Sequence, residues 1–182
     1  MFPFSLPGLR RRAESDLAGA SPLHRLHYPL SPMPRTLVLG QALQSEPNVR
    51  SFLRWTVKQI EFARPQALAG PLRDLIEVAS LKELGILKLR SLSFPLVVIT
   101  RDDEARLCEA DHERLWRLFR LPAFEQVRDR TGRLLAWECE ARDGFHLAAE
   151  APAGLLGITP NRENCACGKT VPAPLASSAA VA

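Results

Sequence analysis

Four residues in the C-terminal third, Cys139, His146, Cys165 and Cys167, are of the types that ligate a soft divalent cation. They form the pattern C-x6-H-x18-C-x-C inside the stretch 134–168, which holds three of the chain's four cysteines and one of its four histidines. A structural zinc ion takes four such ligands in a tetrahedron. Asp143-Gly144, between the first two, is a strong signal for a two-residue hairpin loop. With that loop, Arg142 pairs with Phe145 and Ala141 with His146. Cys139 then becomes the same-face diagonal neighbour of His146, roughly 7–8 Å away. Cys165 and Cys167 stand two apart, so an extended segment turns both sulfurs to one side. Two thiolates on one zinc lie roughly 3.8 Å apart, from Zn–S bonds of about 2.3 Å. Gly168 can take the left-handed conformation that turns the chain around the ion. The expectation is one structural zinc held by Cys139, His146, Cys165 and Cys167. Other readings stand beside it: Cys139 and His146 as core side chains, Cys165 and Cys167 as a strained redox disulfide, or all as plain thiols. Cys108 lies outside the set, in a charged stretch, and reads as a lone thiol.

The segments AWECEARDGFHL (136–147) and NCACGKTVPAP (164–174) resemble two signatures of the phenylacetate–coenzyme A ligase family of adenylate-forming enzymes. That family has an E-C-x4-D-G-L-H-like strand pair and, later, a C-x-C-G-R-T-x-P-like element. Glu138, Cys139, Gly144, His146, Cys165, Cys167 and Gly168 match by position. Phe145 stands where Leu is usual, Lys169 where Arg is usual, and Ala173 where an Arg often follows. Only 18 residues separate His146 from Cys165, where the family has a much longer insert. The resemblance implies that the three cysteines and the histidine hold a structural zinc. It does not extend to the family's reaction centre. The Ser/Thr/Gly-rich phosphate loop, the T-G-D whose Asp holds the AMP ribose, and the small domain with the catalytic Lys have no counterpart here. Arg130-Thr131-Gly132 is followed by Arg133 and precedes the Glu138-Cys139 motif.

The expected function is therefore that of a reduced, non-catalytic relative acting as a binding or accessory module for an unidentified protein partner. One alternative is an acyl-AMP or acyl-CoA ligase component completed by a partner chain. Another is a zinc-ribbon-like nucleic-acid binder that uses the basic N-terminal region, which salt-dependent binding to generic DNA or RNA would reveal. Residues 1–60 carry 8 Lys/Arg against 3 Asp/Glu, while residues 101–150 carry 9 against 12. The basic excess is spread out and the segment around the cysteines is acidic, so nucleic acid is not the expected partner. No apolar run approaches the length of a membrane span. Four cysteines in no disulfide-like framework fit a reducing cytoplasm.

The elements that must position the site are legible in part. The expected class is α/β, with α+β as the alternative. It would be a small mixed sheet with N-terminal helices and a zinc-stapled C-terminal β-hairpin region. Residues 1–35 hold six prolines and Arg10-Arg11-Arg12, and read as a disordered or loosely docked arm. Within it, His24 and His27 are spaced for a shared metal on a helix, but Pro22 and Pro29 oppose that helix. Residues 36–170 read as one domain and 171–182 as a disordered Ala/Ser/Pro-rich tail. Val49, Phe52, Leu53, Val57, Ile60 and Phe62 follow helical spacing and predict a helix over 48–63. The apolar stripes are most simply core packing; the alternative is an exposed binding face of Trp55, Arg54 and Lys58. A second helix begins near Pro71 and ends at Gly85. Leu96–Thr100 reads as a buried strand, 110–120 as a helix with Leu115, Trp116, Leu118 and Phe119 on its apolar face, and 123–128 as a parallel strand. Asp129–Gly132 then turns into a strand over 133–140. Leu135, Trp137 and Cys139 share one face of it, placing Trp137 beside the metal. Glu138 and Glu140 face the other way, as a solvated pair or, less simply, an acid–base pair. His112 is expected on the surface.

Overall fold

The computed structural model describes residues 24–44, 46–142, 144–149, 151–152, 155, 157–159 and 165–167. The expected arm before residue 24, the tail at 171–182, Asp143 and Gly168 lie outside the described residues. The protein is α/β, built on one seven-stranded mixed sheet. In chain order the elements are β1 (Thr36–Leu39), β2 (Val49–Phe52), α1 (Val57–Ala63), β3 (Ala67–Gly70), α2 (Leu72–Glu83), β4 (Leu96–Arg101), α3 (Glu109–Phe119), β5 (Ala123–Arg128), β6 (Leu134–Glu138) and β7 (Phe145–Leu147).

The strand order is β2-β1-β3-β4-β5-β6-β7. The first five strands pair in parallel; β6 and β7 add antiparallel at one end. The connections β2–α1–β3, β3–α2–β4 and β4–α3–β5 all advance across the sheet in one direction, so crossovers of one hand place all three helices on one face. Ile60, Leu75, Val78, Leu115 and Phe119 accordingly share a core with Leu37, Leu39, Leu68, Leu96 and Val98. The β1–β2 link runs the opposite way and is placed on the other face by the same rule. Leu43 of that link packs there, with Leu26 and Tyr28, against Val38, Ala69, Val97 and Ile99.

The segment 24–34 is a strap over that second face. Buried Arg128 donates to the Arg25 carbonyl at 2.6 Å, to Gly132 at 2.7 Å and to Gln126 Oε1 at 3.1 Å. Burial lowers the Arg128 pKa to about 10, which leaves it charged at neutral pH. The Gln126 amide donates to the His27 carbonyl, and the Tyr28 hydroxyl to that of Pro95 at 2.8 Å.

Three readings are corrected. The helix over 48–63 is instead strand β2 followed by the short helix α1. Thr56 is the reason: its backbone is extended, and its hydroxyl accepts the Gln59 N–H as an N-cap, so the helix starts there. Thr56-x-x-Gln59 is itself a capping-box pattern. Trp55 does not form a binding face with Arg54 and Lys58. It packs on the helical core and donates from its indole to Asp74 at 2.9 Å. Trp116 likewise leaves the apolar face of α3, at 50% exposed, because Leu115, Leu118 and Phe119 already fill the inward stripe. The expected elements from α2 to β5 are present, and Gly85 lies just past α2 at φ +71. Among the described residues no helix is long and apolar enough to cross a membrane.

Candidate metal centre

Strand β6 follows β5 through the turn 129–132, in which Gly132 N–H bonds the Asp129 carbonyl and the Asp129 carboxylate caps Thr131 and Arg133. On β6, Trp137 pairs with Gln126 of β5 and His146 of β7. Directly opposed residues share a face, so Trp137 and His146 stand on the strap side of the sheet. Their rings are stacked, with centroids 5.5 Å apart and planes 16° off parallel. The His27 ring of the strap lies 4.5 Å from Trp137 on centroids.

The two-residue hairpin is corrected by this register. Trp137, not Ala141, pairs with His146, and Glu138 with Phe145. The strand ends at Glu138, and residues 139–144 form a wider loop. Arg142 and Gly144 take positive φ in it, and Arg142 N–H closes a turn on the Cys139 carbonyl at 3.1 Å. The Arg142 guanidinium pins the loop by donating to Ala123 at 3.1 Å and lying 5.0 Å over the Phe124 ring. Cys139 remains a diagonal neighbour of His146, because the register differs by an even number of residues and an even shift preserves the face.

The remaining donors arrive from the returning chain. Thr159 accepts the Phe145 N–H at 3.0 Å, which lays the return along the edge of β7. It leads to Cys165 and Cys167. Cys139 Sγ and Cys165 Sγ are 3.5 Å apart, and Cys167 Sγ and His146 Nε2 are 3.2 Å apart. One ligand atom from each of the four residues lies within 4.8 Å of all the others. Cys139, His146 and Cys165 are buried and Cys167 is half-buried. That spacing fits the separation between thiolates sharing one tetrahedral ion, roughly 3.8 Å. The four residues are positioned to hold a metal ion. Burial pushes the Cys139 thiol up to about 12, against an opposing hydrogen bond from the Ala141 N–H. A dication here replaces a proton that solvent cannot readily remove, and the Ala141 N–H then supports the thiolate.

The other candidates separate from this centre. Cys108 is exposed at the N-terminus of α3, with Asp111 at 3.2 Å. Among the described residues His24 and His27 are not joined in a metal group; the His27 ring instead lies tilted against Trp137. Glu138 faces the helical side, where it accepts the Glu125 N–H at 2.7 Å, and Glu140 is exposed in the loop, so the two do not form an acid–base pair. His112 is half-buried and lines a cleft of about 290 Å³ with Glu109, Glu113, Trp116 and Arg142. The part played by Arg142 carried no sequence signal, since its partners lie 18 and more residues away.

No family model and no curated protein match this chain. Among solved structures, it is similar to an open conformation of 2-hydroxyisobutyryl-CoA ligase in complex with 2-HIB-AMP and CoA. The identity is 10%, the TM-score 0.47, and the match covers 63% of this chain. The chain spans 30% of that ligase's length.

Proposed function

We propose that the ion is zinc and that its role is structural, in a non-catalytic relative of acyl-CoA ligases that works in the cytoplasm as a binding or accessory module for another protein. The observation that carries this reading is the mutual approach, within 4.8 Å, of three cysteine sulfurs and one imidazole nitrogen. Soft thiolates with imidazole in a tetrahedron favour zinc. Four protein ligands leave no open position for water or substrate, so the ion contributes folding energy rather than reactivity. Metal analysis of purified protein tests this. One zinc per chain is expected, lost in Cys139→Ser and Cys165→Ser and retained in Cys108→Ser. Protein purified without chelator and free of zinc would overturn it.

A second reading, a ligase component completed by a partner chain, is favoured by one feature. A crevice of about 780 Å³ opens at the carboxyl ends of β1, β3, β4 and β5; Gly40, Pro71 and Thr100 line it with Glu104, Asp129 and three arginines at its surface, Arg73 paired with Asp74 and Arg101 and Arg130 with Asp103. Open parallel sheets bind ligands at that end, and arginines suit phosphates. Calorimetric titration with ATP and with coenzyme A separates the two. Saturable binding supports the ligase component; no heat up to millimolar ligand supports the module.

A further inference from the structure

Burial across the four ligands is uneven, and the unevenness has a direction. Cys139 is fully buried, His146 is 1% exposed, Cys165 7%, and Cys167 is half-buried at the rim. A small oxidant entering from solvent therefore meets the Cys167 sulfur first. Cys139 Sγ is the inner sulfur, 3.5 Å from Cys165 Sγ and within 4.8 Å of Cys167 Sγ. It is also the sulfur best placed to form a cross-link. Cys165 and Cys167 flank a single residue, so a disulfide between them closes a small strained ring. Cys139 comes from the β6–β7 loop, 26 residues before Cys165, and carries no such constraint.

Building on the zinc reading, we infer that this centre is a peroxide-responsive switch, in which Cys167 is oxidised first, Cys139 closes the disulfide, and the zinc ion is released. The Cys167 thiolate attacks one oxygen of hydrogen peroxide. An S–O bond forms, the O–O bond breaks, and hydroxide leaves and is protonated to water. The sulfur has lost two electrons and the peroxide has gained them. The Cys139 thiolate then attacks the Cys167 sulfur. The S–S bond forms, the S–O bond breaks, and a second hydroxide leaves as water. Cys165 and His146 remain as two ligands, too few to retain the ion. His146 is stacked on Trp137, and Trp137 contacts His27 of the strap, so loss of the ion frees a ring on which strap packing depends.

The test uses the full chain carrying Cys108→Ser, which removes the exposed thiol outside the centre. Zinc content is measured before treatment; hydrogen peroxide is then added with a zinc-binding dye present, and the products are mapped by mass spectrometry. The expected result is one zinc released per disulfide, a Cys139–Cys167 linkage, and recovery of bound zinc after dithiothreitol and added zinc. A Cys165–Cys167 linkage, release with sulfinic acid and no disulfide, or zinc retained under peroxide would overturn the switch while leaving the structural zinc intact. Absence of zinc before treatment would overturn the structural reading and the switch with it.

Discussion

Glu138 sits one residue before Cys139, one of the four residues positioned to hold a metal, yet belongs to the opposite face of the sheet. Burial is the largest influence on it and holds its carboxyl above the usual range, although the Glu125 N–H and the nearby charges of His112 and Arg142 pull the other way. A raised carboxyl pKa means that the fold disfavours the ionised form. The penalty is fully present above the folded pKa. It disappears below the unfolded value of about 4.3. Glu138→Gln is therefore expected to raise stability at neutral pH and to give no gain below about pH 4. Urea unfolding at the two pH values checks this; an equal gain at both would mean that something other than ionisation is responsible. Trp137 is the other instructive residue. Trp137→Ala leaves all four ligands in place but removes the ring stacked on His146. Supporting groups of this kind are worth about tenfold or more in metal affinity. Competition against a chromogenic chelator should show a loss of that order, and unchanged affinity would make the stack incidental.

At the level of elements, the loops do more than the strands to build the centre. β6 and β7 place Trp137 and His146, but Cys139 sits in the 139–144 loop that Arg142 fastens to β5. Cys165 and Cys167 come from further along the chain, beyond Thr159, whose carbonyl accepts the Phe145 N–H of β7. α1 is a contrasting case, a helix of seven residues whose start depends on one cap. Thr56→Ala is expected to cost about 1 kcal/mol, because Ile60 and Ala63 must still be held against the core. Its zinc content should be unchanged, since α1 lies on the face opposite the metal residues. A denaturant midpoint and a metal assay on the same sample check both halves of that expectation.

Across the whole molecule, the helical core and the metal centre are separate bodies of contact. The core of α1, α2 and α3 draws on β1, β3, β4 and the start of β5, with Phe52 of β2 packed against it, and includes no residue of β6 or β7. Stripping the ion with a chelator should therefore leave the helical circular-dichroism signal largely intact below the melting transition. Hydrogen-exchange protection is expected to fall selectively in β6 and β7. The melting temperature should rise again with added zinc in a concentration-dependent way, by linkage worth about 4 kcal/mol at a thousandfold excess over Kd. Global unfolding on chelation would show instead that the parallel sheet cannot stand without its edge.

The sequence by itself determined the elements whose patterns are long or locally marked. α2 and α3 show helical periodicity over 12 and 11 residues. β4 is a run of apolar β-branched residues, and Asp129–Gly132 is a turn by composition alone. The four donors were legible because Cys and His are chemically conspicuous. Their common face survived a wrong hairpin register because the error was even. Only the tertiary structure decided the rest. β1 and β3 are four residues each, too short to display a period, and their pairing is parallel and non-local. The place of β6–β7 at the sheet edge and the strap over the second face depend on partners tens of residues away. So do the tilted contact of His27 with Trp137 and the docking of Arg142 on Phe124. Such contacts leave no local pattern, because their free energy comes from burial that exists only once the sheet has assembled.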